Sequence, residues 1–313
     1  MDFKIKKQIL ALIVALIAVS FLHAQEHDVI IGKWDIELEN GSQILPSWLE
    51  VKLSGINTLV GYFVGESGSK RPISEVFFHD GIVDFSIPPQ WDGHNYLHFS
   101  AKVVDSKLKG TIISSKGKVM PLTAVRAPKL IRTDEIEWSK RRSLFDGKTL
   151  AQWKPINTEV QNQWEAKDGL LVNPQSGVNL VSEEQFTDFK LHIEARYPEQ
   201  SNSGIYLRGR YEVQIEDSYG KEPSSILFGG IYGFLTPNEI AALKAGEWQV
   251  FDITLVGRRV SIVANGKAVI SDQIIPGITG GAIDSNEGNP GPLMLQGDHG
   301  IVEFRNITIQ TPK

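Results

Sequence analysis

Apolar residues in this chain return at every second position, broken at short and regular intervals by turn residues. From Ile30 to about Arg126 every segment reads this way and none reads as a helix. Ile31-Gly-Lys-Trp-Asp-Ile-Glu-Leu38 alternates, and Asn40-Gly41 supplies a hairpin turn. Trp48–Leu53, Leu59–Val64, Val76–Phe78, Ile82–Ile87, Tyr96–Val104, Lys107–Ile113 and Lys118–Val125 follow, separated by Ser54-Gly55, Glu66–Ser69, His79-Asp-Gly81, Asp92-Gly-His94, Asp105-Ser106 and Lys116-Gly117. A run of short strands so spaced predicts a small antiparallel barrel or sandwich. Trp34, Trp48 and Trp91 are core or rim residues by type, and alternatively line a ligand mouth.

With 313 residues the chain has room for two domains, and 41% apolar residues suffice for two cores. It has no cysteine, which removes disulfides, thiolate metal sites and cysteine nucleophiles. A net charge of -5 speaks against nucleic acid as a partner. Lys4, Lys6 and Lys7 precede an apolar run, Ile9 to Leu22, and Ala24 is a small residue where cleavage would follow. Residues 1–24 are therefore expected to be a signal peptide, and the run is short for a membrane span. Their removal takes away three Lys and one Asp, moving the net charge from -5 to -7. An exported protein, periplasmic or extracellular, without a membrane span in the mature chain is the expectation.

A domain of residues 28–127 is expected, then a charged linker over 128–142, then a second domain over 143–313. In the last, Trp164–Val172 contains the Asp168-Gly169 turn, and Phe186–Arg196 places Phe189, Leu191, Ile193 and Ala195 on one face, with Lys190, His192, Glu194 and Arg196 on the other. Thr236-Pro-Asn-Glu-Ile-Ala-Ala-Leu-Lys-Ala-Gly246 has a Thr cap, Pro at the first position and a closing Gly, and predicts one short helix. Trp248–Val256, Arg259–Ala264, Lys267–Ile270, Gly291–Gln296 and Gly300–Gln310 read as strands. About eleven strands with one helix imply an all-β chain whose second domain is a two-sheet jelly roll.

Asn202 to Asp217 is the polar centre of that domain. Glu212, Gln214 and Glu216 alternate with Val213 and Ile215, and Arg208 and Tyr211 stand beside a turn that Gly209 permits. An ordinary half-exposed hairpin is the plain alternative.

Leu144-Phe-Asp-Gly-Lys, Asp168-Gly, Asp188-Phe, Asn202-Ser-Gly-Ile, Tyr211-Glu-Val-Gln-Ile-Glu-Asp, Gly230-Ile-Tyr-Gly, Gly246-Glu-Trp, Asn265-Gly and Phe304-Arg-Asn-Ile occur in that order. Together they resemble the 3-keto-disaccharide hydrolase domain family over about residues 143–311, and in the first domain Gly32-Lys-Trp34 resembles the opening of lipocalin-like barrels. The resemblance implies a concanavalin-like jelly roll in exported proteins acting on 3-keto-glycosides, by a route that includes elimination and hydration. Gln249 departs from the asparagine frequent in the family, so a polar contact there is expected to change.

Elimination needs a base for the C2 proton, a stabiliser for the enolate oxygen, and an acid for the leaving oxygen. Glu212 is the expected base, Arg208 the enolate stabiliser, and His299, after Asp298, an acid or base near neutral pH. Tyr211 falls on the apolar side by strict alternation unless a bulge at Gly209-Arg210 intervenes. Glu194 and Arg196, with His192, are expected to line the same concave sheet. Asn202, Gln214, Asp217, Tyr232 and Gln296 complete the expected substrate contacts. Asp217, Asp298 and Glu216 follow no recognised ligand spacing, yet a divalent cation is possible there as a cofactor. The expected partner is an oxidised glycoside. Two other readings stay open: a carbohydrate-binding sandwich without catalysis, and a ligand-binding barrel with the sandwich as scaffold.

Overall fold

The computed structural model describes residues 27–91 and 93–313, so the expected signal peptide and Asp92 lie outside the described residues. The chain divides into two compact units. One contains Trp48–Phe63 and Arg71–Arg126 with the stretch ending at Ile44, and the other contains Leu45–Ser47, Val64–Lys70 and Ala127–Lys313.

Eight strands form the first unit: β1 (Gly32–Asn40), β2 (Gln43–Ser54), β3 (Thr58–Val64), β4 (Arg71–His79), β5 (Ile82–Ile87), β6 (Leu97–Val104), β7 (Lys107–Ile113) and β8 (Val119–Arg126). They follow one another around a closed barrel, and β1 seals it against β8 with Trp34 opposite Arg126 and Leu38 opposite Leu122. Closure leaves no free strand edge to pair with another chain. A barrel of this strand number is just wide enough for side chains to fill. Phe85 stacks on Phe99 at 4.6 Å, with Phe63 5.8 Å from Phe85. Trp48 is 0% exposed, and Trp34 is buried with its indole N–H donated to Ile30 O at 2.9 Å. These two tryptophans are core rather than a ligand mouth, and Trp91, 63% exposed, stands apart from them on the surface.

The second unit holds thirteen strands: β9 (Arg142–Ser143), β10 (Trp153–Pro155), β11 (Glu165–Lys167), β12 (Leu170–Asn173), β13 (Leu180–Phe186), β14 (Phe189–Arg196), β15 (Asn202–Leu207), β16 (Tyr211–Glu216), β17 (Gln249–Val256), β18 (Arg259–Ala264), β19 (Lys267–Ile274), β20 (Gly291–Leu295) and β21 (Val302–Gln310). A smaller sheet of five runs β10-β13-β20-β15-β16. A larger sheet runs β11-β12-β21-β14-β17-β18-β19, with β9 attached to β21. This is the jelly-roll sandwich. Phe189, Leu191, Ile193 and Ala195 on β14 meet the rule of alternation and are buried, as are Ile205, Leu207, Val213 and Ile215 of the smaller sheet.

Segment 236–246 is not helical. Its backbone groups go to partners outside the segment, which overrides the cap signal. Asn238 N donates to Val269 O at 2.7 Å, and Asn265 Nδ2 donates to Ala241 O at 2.9 Å. Gln249, fully buried, accepts from Leu243 N at 2.9 Å and donates to Leu243 O and Glu247 O, each at 3.3 Å. The residue that departs from the family pattern therefore clamps this loop. The charged stretch expected as a linker is hydrogen-bonded along the sandwich: Ser139 N donates to Thr311 O at 2.8 Å, and Gln310 Nε2 donates to Ser139 O at 2.8 Å.

Candidate active site

The hairpin β15–β16 turns on Arg208 and Gly209, both at positive φ (54° and 66°), with Arg210 N donating to Leu207 O at 3.1 Å. Positive φ at both central residues is the signature of a type I′ turn, whose twist suits a tight hairpin. Arg210 is an extra residue, so Leu207 pairs with Tyr211 and Tyr206 with Glu212. The bulge keeps the alternation of β16 intact. Leu207, Tyr211, Val213 and Ile215 face the sandwich core, while Tyr206, Glu212, Gly204, Gln214, Asn202 and Glu216 share the opposite face.

That opposite face is not a solvated one. β16 is buried from Tyr211 to Ile215. Its free edge is taken by segment 229–232: Gln214 N donates to Gly230 O, Gly229 N to Gln214 O, both at 2.9 Å, and Tyr232 N to Glu212 O at 3.0 Å. Across the sheet the row continues through Met294, opposite Tyr206, and Val181, opposite Met294. Tyr206, Met294 and Val181 form a buried cluster with Ile283 against it. Glu212 therefore sits beside apolar neighbours, 3% exposed. Burial without a cationic bond disfavours the carboxylate and pushes Glu212 up to about 8, against smaller lowering effects of the Tyr206 hydroxyl and the His299 charge.

Two glycines make room for this. A Cβ at Gly204 would lie 2.6 Å from Glu212 Oε1, and one at Gly281 would lie 2.5 Å from the Tyr206 hydroxyl. The hydroxyl is 2.9 Å from Glu212 Oε2 and 3.0 Å from Gly280 O. Asp298 and His299 follow β20 on a loop tied down by Asn173, whose Nδ2 donates to Gly297 O at 2.9 Å and to Gly300 O at 2.6 Å. Asp298 Oδ1 meets His299 Nδ1 at 2.7 Å and raises the imidazole's pKa, and Glu212 raises it further. The half-buried Tyr232 also has its pKa raised, by burial and then by Glu212 and Glu216. Gln214 and Gln296 flank Gly204 on this sheet, where Gln296 N donates to Gly204 O at 2.9 Å. Each has a buried side-chain oxygen without a hydrogen-bond partner. Farther along the row a polar cavity of about 380 Å³ is lined by Gln200, Asn202, Glu216, Asp217 and Lys221.

The geometry thus puts Glu212, Gln214 and Asn202 on one face of the β15–β16 hairpin, with Gln296 beside Gly204, Tyr232 on the edge segment and His299 on the loop after β20, while Asp217 meets Asn202 at the cavity past the end of β16. It places Arg208 elsewhere. The Arg208 guanidinium is buried, with Nη2 donating to Tyr211 Oη at 2.8 Å and to Gly257 O at 3.2 Å, and Nη1 to Glu287 O at 3.2 Å. Tyr211 donates to Glu287 Oε1 at 2.8 Å, and Arg258 pairs with the other oxygen of Glu287. Positive φ at Arg208 and the inward face of Tyr211 direct this cluster away from Glu212, so Arg208 is a structural residue and not the enolate's stabiliser.

Glu194 and Arg196 are also outside the site. β14 belongs to the larger sheet, and its polar row is on the side opposite the buried Ile193 and Ala195. Glu194 accepts from Arg305 Nε and Asn306 Nδ2, each at 2.7 Å, and Arg196 Nε is 2.5 Å from Glu303. The guanidinium groups of Arg196 and Arg305 lie over the Trp248 ring, at 4.7 and 3.9 Å from its centre. Alternation was right for β14, but alternation does not say which of two sheets a strand joins. Among the described residues no three His, Cys, Asp or Glu side chains come together as a metal site.

Sequence reasoning did not assign Tyr206. The pairing with Glu212 follows from counting back across the Arg208-Gly209 turn once the extra Arg210 is allowed for, and that count was the available signal. Gln200 and Lys221 were missed because loops carry them and no pattern marks them.

No curated protein matches this chain. Among solved structures, a candidate glycosyl hydrolase of Parabacteroides distasonis ATCC 8503 is 31% identical, over 55% of this chain and 83% of that one, with a TM-score of 0.47. A second from the same organism is 20% identical, over 54% and 92%, with a TM-score of 0.46. A carbohydrate-binding module of Bacillus subtilis is 12% identical, over 51% and 96%, with a TM-score of 0.35. The 3-keto-alpha-glucoside-1,2-lyase-like domain model matches residues 140–310, more than half of the 313-residue chain. On that match, the chain belongs to the 3-keto-alpha-glucoside-1,2-lyase-like domain family.

Proposed function

We propose that this is a carbohydrate-active enzyme that cleaves exported-compartment 3-keto-glycosides, with Glu212 as the base that removes the C2 proton. The carbohydrate class and the glycosidase-like character rest on the family. The observation that carries the proton chemistry is Glu212 itself: a buried carboxyl raised to about 8, with apolar Met294 and Val181 on one side of its sheet face and Gln214 on the other. A base whose conjugate acid titrates near working pH is the efficient one for removing a weakly acidic proton.

The ketone at C3 acidifies the C2 hydrogen. Glu212 takes that proton, and the C2–H electron pair moves into C2–C3 while the C3 oxygen becomes an enolate. His299, whose imidazole pKa Asp298 raises, takes the place of Arg208 as the hydrogen-bond donor to that oxygen. Collapse of the enolate reforms the C3 carbonyl, makes C1=C2 and breaks the bond from C1 to the leaving oxygen, which takes the proton held by Glu212 and so restores the carboxylate. Water adding across C1=C2, hydroxyl to C1 and hydrogen to C2, completes net hydrolysis. Gln214, Gln296 and Tyr232 hold hydroxyls of the ring. The polar cavity by Asn202 and Asp217 accommodates the leaving group.

The test is incubation of the protein with a 3-keto-β-glucoside bearing a chromophoric aglycone. Release of aglycone with an unsaturated keto-sugar, or its hydrate, supports the reading. Binding of the glycoside without release over long incubation would make the sandwich a binding module and end the catalytic assignment.

A further inference from the structure

Tyr206 has one hydroxyl hydrogen and two acceptors waiting for it. Its oxygen is 2.9 Å from Glu212 Oε2 and 3.0 Å from the carbonyl of Gly280, and a hydroxyl donates to only one at a time. With Glu212 ionised, the hydrogen goes to the carboxylate, because a charged acceptor makes the stronger bond. The Gly280 carbonyl then loses this donor. With Glu212 protonated on Oε1, Oε2 is still an acceptor but no longer a charged one, and the Tyr206 hydrogen is then shared between it and the Gly280 carbonyl. We propose that Tyr206 is the positioning residue for Glu212: by donating to Oε2 it holds the carboxylate in place and leaves Oε1 free to take the proton from the sugar. This rests on the reading of Glu212 as the base.

Three features show the arrangement to be built. Gly281, at positive φ (78°), leaves the space into which the hydroxyl projects, and a Cβ there would stand 2.5 Å from it. Gly204 leaves the space beneath Oε1. Tyr206 is 2% exposed in the apolar row with Met294 and Val181, so water does not replace either bond. Burial raises the Tyr206 hydroxyl well above its ordinary value, which keeps it a donor and never a second anion at working pH. The charged and titratable groups facing the pair are Tyr232 on the segment after Gly229 and Asp298 with His299 on the loop after β20. His299 favours the ionised Glu212 and Asp298 opposes it, so neither substitutes for a hydroxyl bonded to Oε2.

The experiment follows the carboxyl of Glu212 by infrared titration of the whole protein, the band being assigned by its loss in Glu212→Gln. In Tyr206→Phe the titration midpoint is expected to move upward by about one pH unit, because the bond to the ionised form is lost. The pH–rate curve on the 3-keto-glucoside is expected to move with it, and kcat to fall by roughly 10-fold to 100-fold with little change in KM. Gly281→Ala keeps the hydroxyl but displaces it, and is expected to move the midpoint in the same direction. An unmoved Glu212 midpoint in a folded Tyr206→Phe protein overturns the proposal. A moved midpoint in a protein that turns over no keto-glycoside supports the proton sharing and rejects the function.

Discussion

Glu212 and Gly204 are diagonal neighbours across the β15–β16 ladder, and the carboxylate lies over the glycine so closely that a Cβ would stand 2.6 Å from Oε1. The neighbouring ladder positions hold the buried Tyr206 and Ile205. The missing side chain at Gly204 therefore decides where the base is held, while the buried neighbours hold the strand.

Gly204→Ala is accordingly expected to displace the carboxylate without unfolding the sandwich. A shift of this kind costs about 100-fold in turnover when a reacting group is misplaced by an ångström. Comparing kcat with the thermal unfolding midpoint separates displacement from unfolding. Unchanged turnover would place the reacting atoms away from Glu212.

The raised pKa of Glu212 has a consequence for stability. Its ordinary value is 4.5 and its folded value about 8, so the folded state holds the proton more tightly than the unfolded one. The associated stability is fully present below pH 4.5 and is lost as pH rises through about 8. Glu212→Gln carries no such titration. The variant is expected to gain stability relative to the native protein from about pH 5 to pH 8 and to level off above. Urea denaturation across that range measures the difference, in which groups not coupled to Glu212 cancel. A constant difference would contradict the buried, raised carboxyl.

The cluster of Arg208, Tyr211, Arg258 and Glu287 is expected to act on folding alone. Glu287 is fully buried between two guanidinium groups and a hydroxyl. Glu287→Ala leaves buried positive charge uncompensated and is expected to cost about 3–5 kcal/mol. Tyr211→Phe leaves Glu287 and Arg208 each short of a partner and is expected to cost about 1–3 kcal/mol. Denaturant unfolding gives the loss, and KM for the glycoside is expected to stay unchanged in the folded fraction. A Tyr211→Phe protein of native stability with altered KM would return this cluster to the active site.

On the loop after β20, Asp298 raises the pKa of His299, and His299 in turn lowers that of Glu212. Asp298→Asn is expected to lower the pKa of His299, so the falling limb of the pH–rate profile moves to lower pH. His299→Gln removes that limb and is expected to raise the Glu212 midpoint. Because the two groups sense each other, the limbs belong to the pair rather than to either residue. A profile with an unchanged falling limb in both variants would exclude His299 from the chemistry.

Much of this was legible in the chain. Period-two alternation with turn dipeptides located all eight barrel strands, and Val213 and Ile215 marked the face that Glu212 avoids. What was not legible depends on contacts distant in sequence. Thr236 to Gly246 carries a helix's local signals, yet Gln249, Asn265 and the backbone of Val269 claim its polar groups. Arg208 has the residue type an enolate needs, but its turn conformation sends it to Glu287. Glu194 has the correct strand face in the wrong sheet. Glu194→Gln is therefore expected to leave kcat/KM within about 2-fold, since nothing in its network reaches Glu212.

The most direct test of the account is the isotope effect at C2. A 3-keto-glucoside deuterated at C2 is incubated with the protein and with Glu212→Gln, and aglycone release is followed at pH 8. The account predicts slower release of the deuterated sugar by the native protein, and release reduced about 100-fold or more in the variant. Equal release of both isotopologues, with full activity retained in Glu212→Gln, would contradict proton abstraction by Glu212.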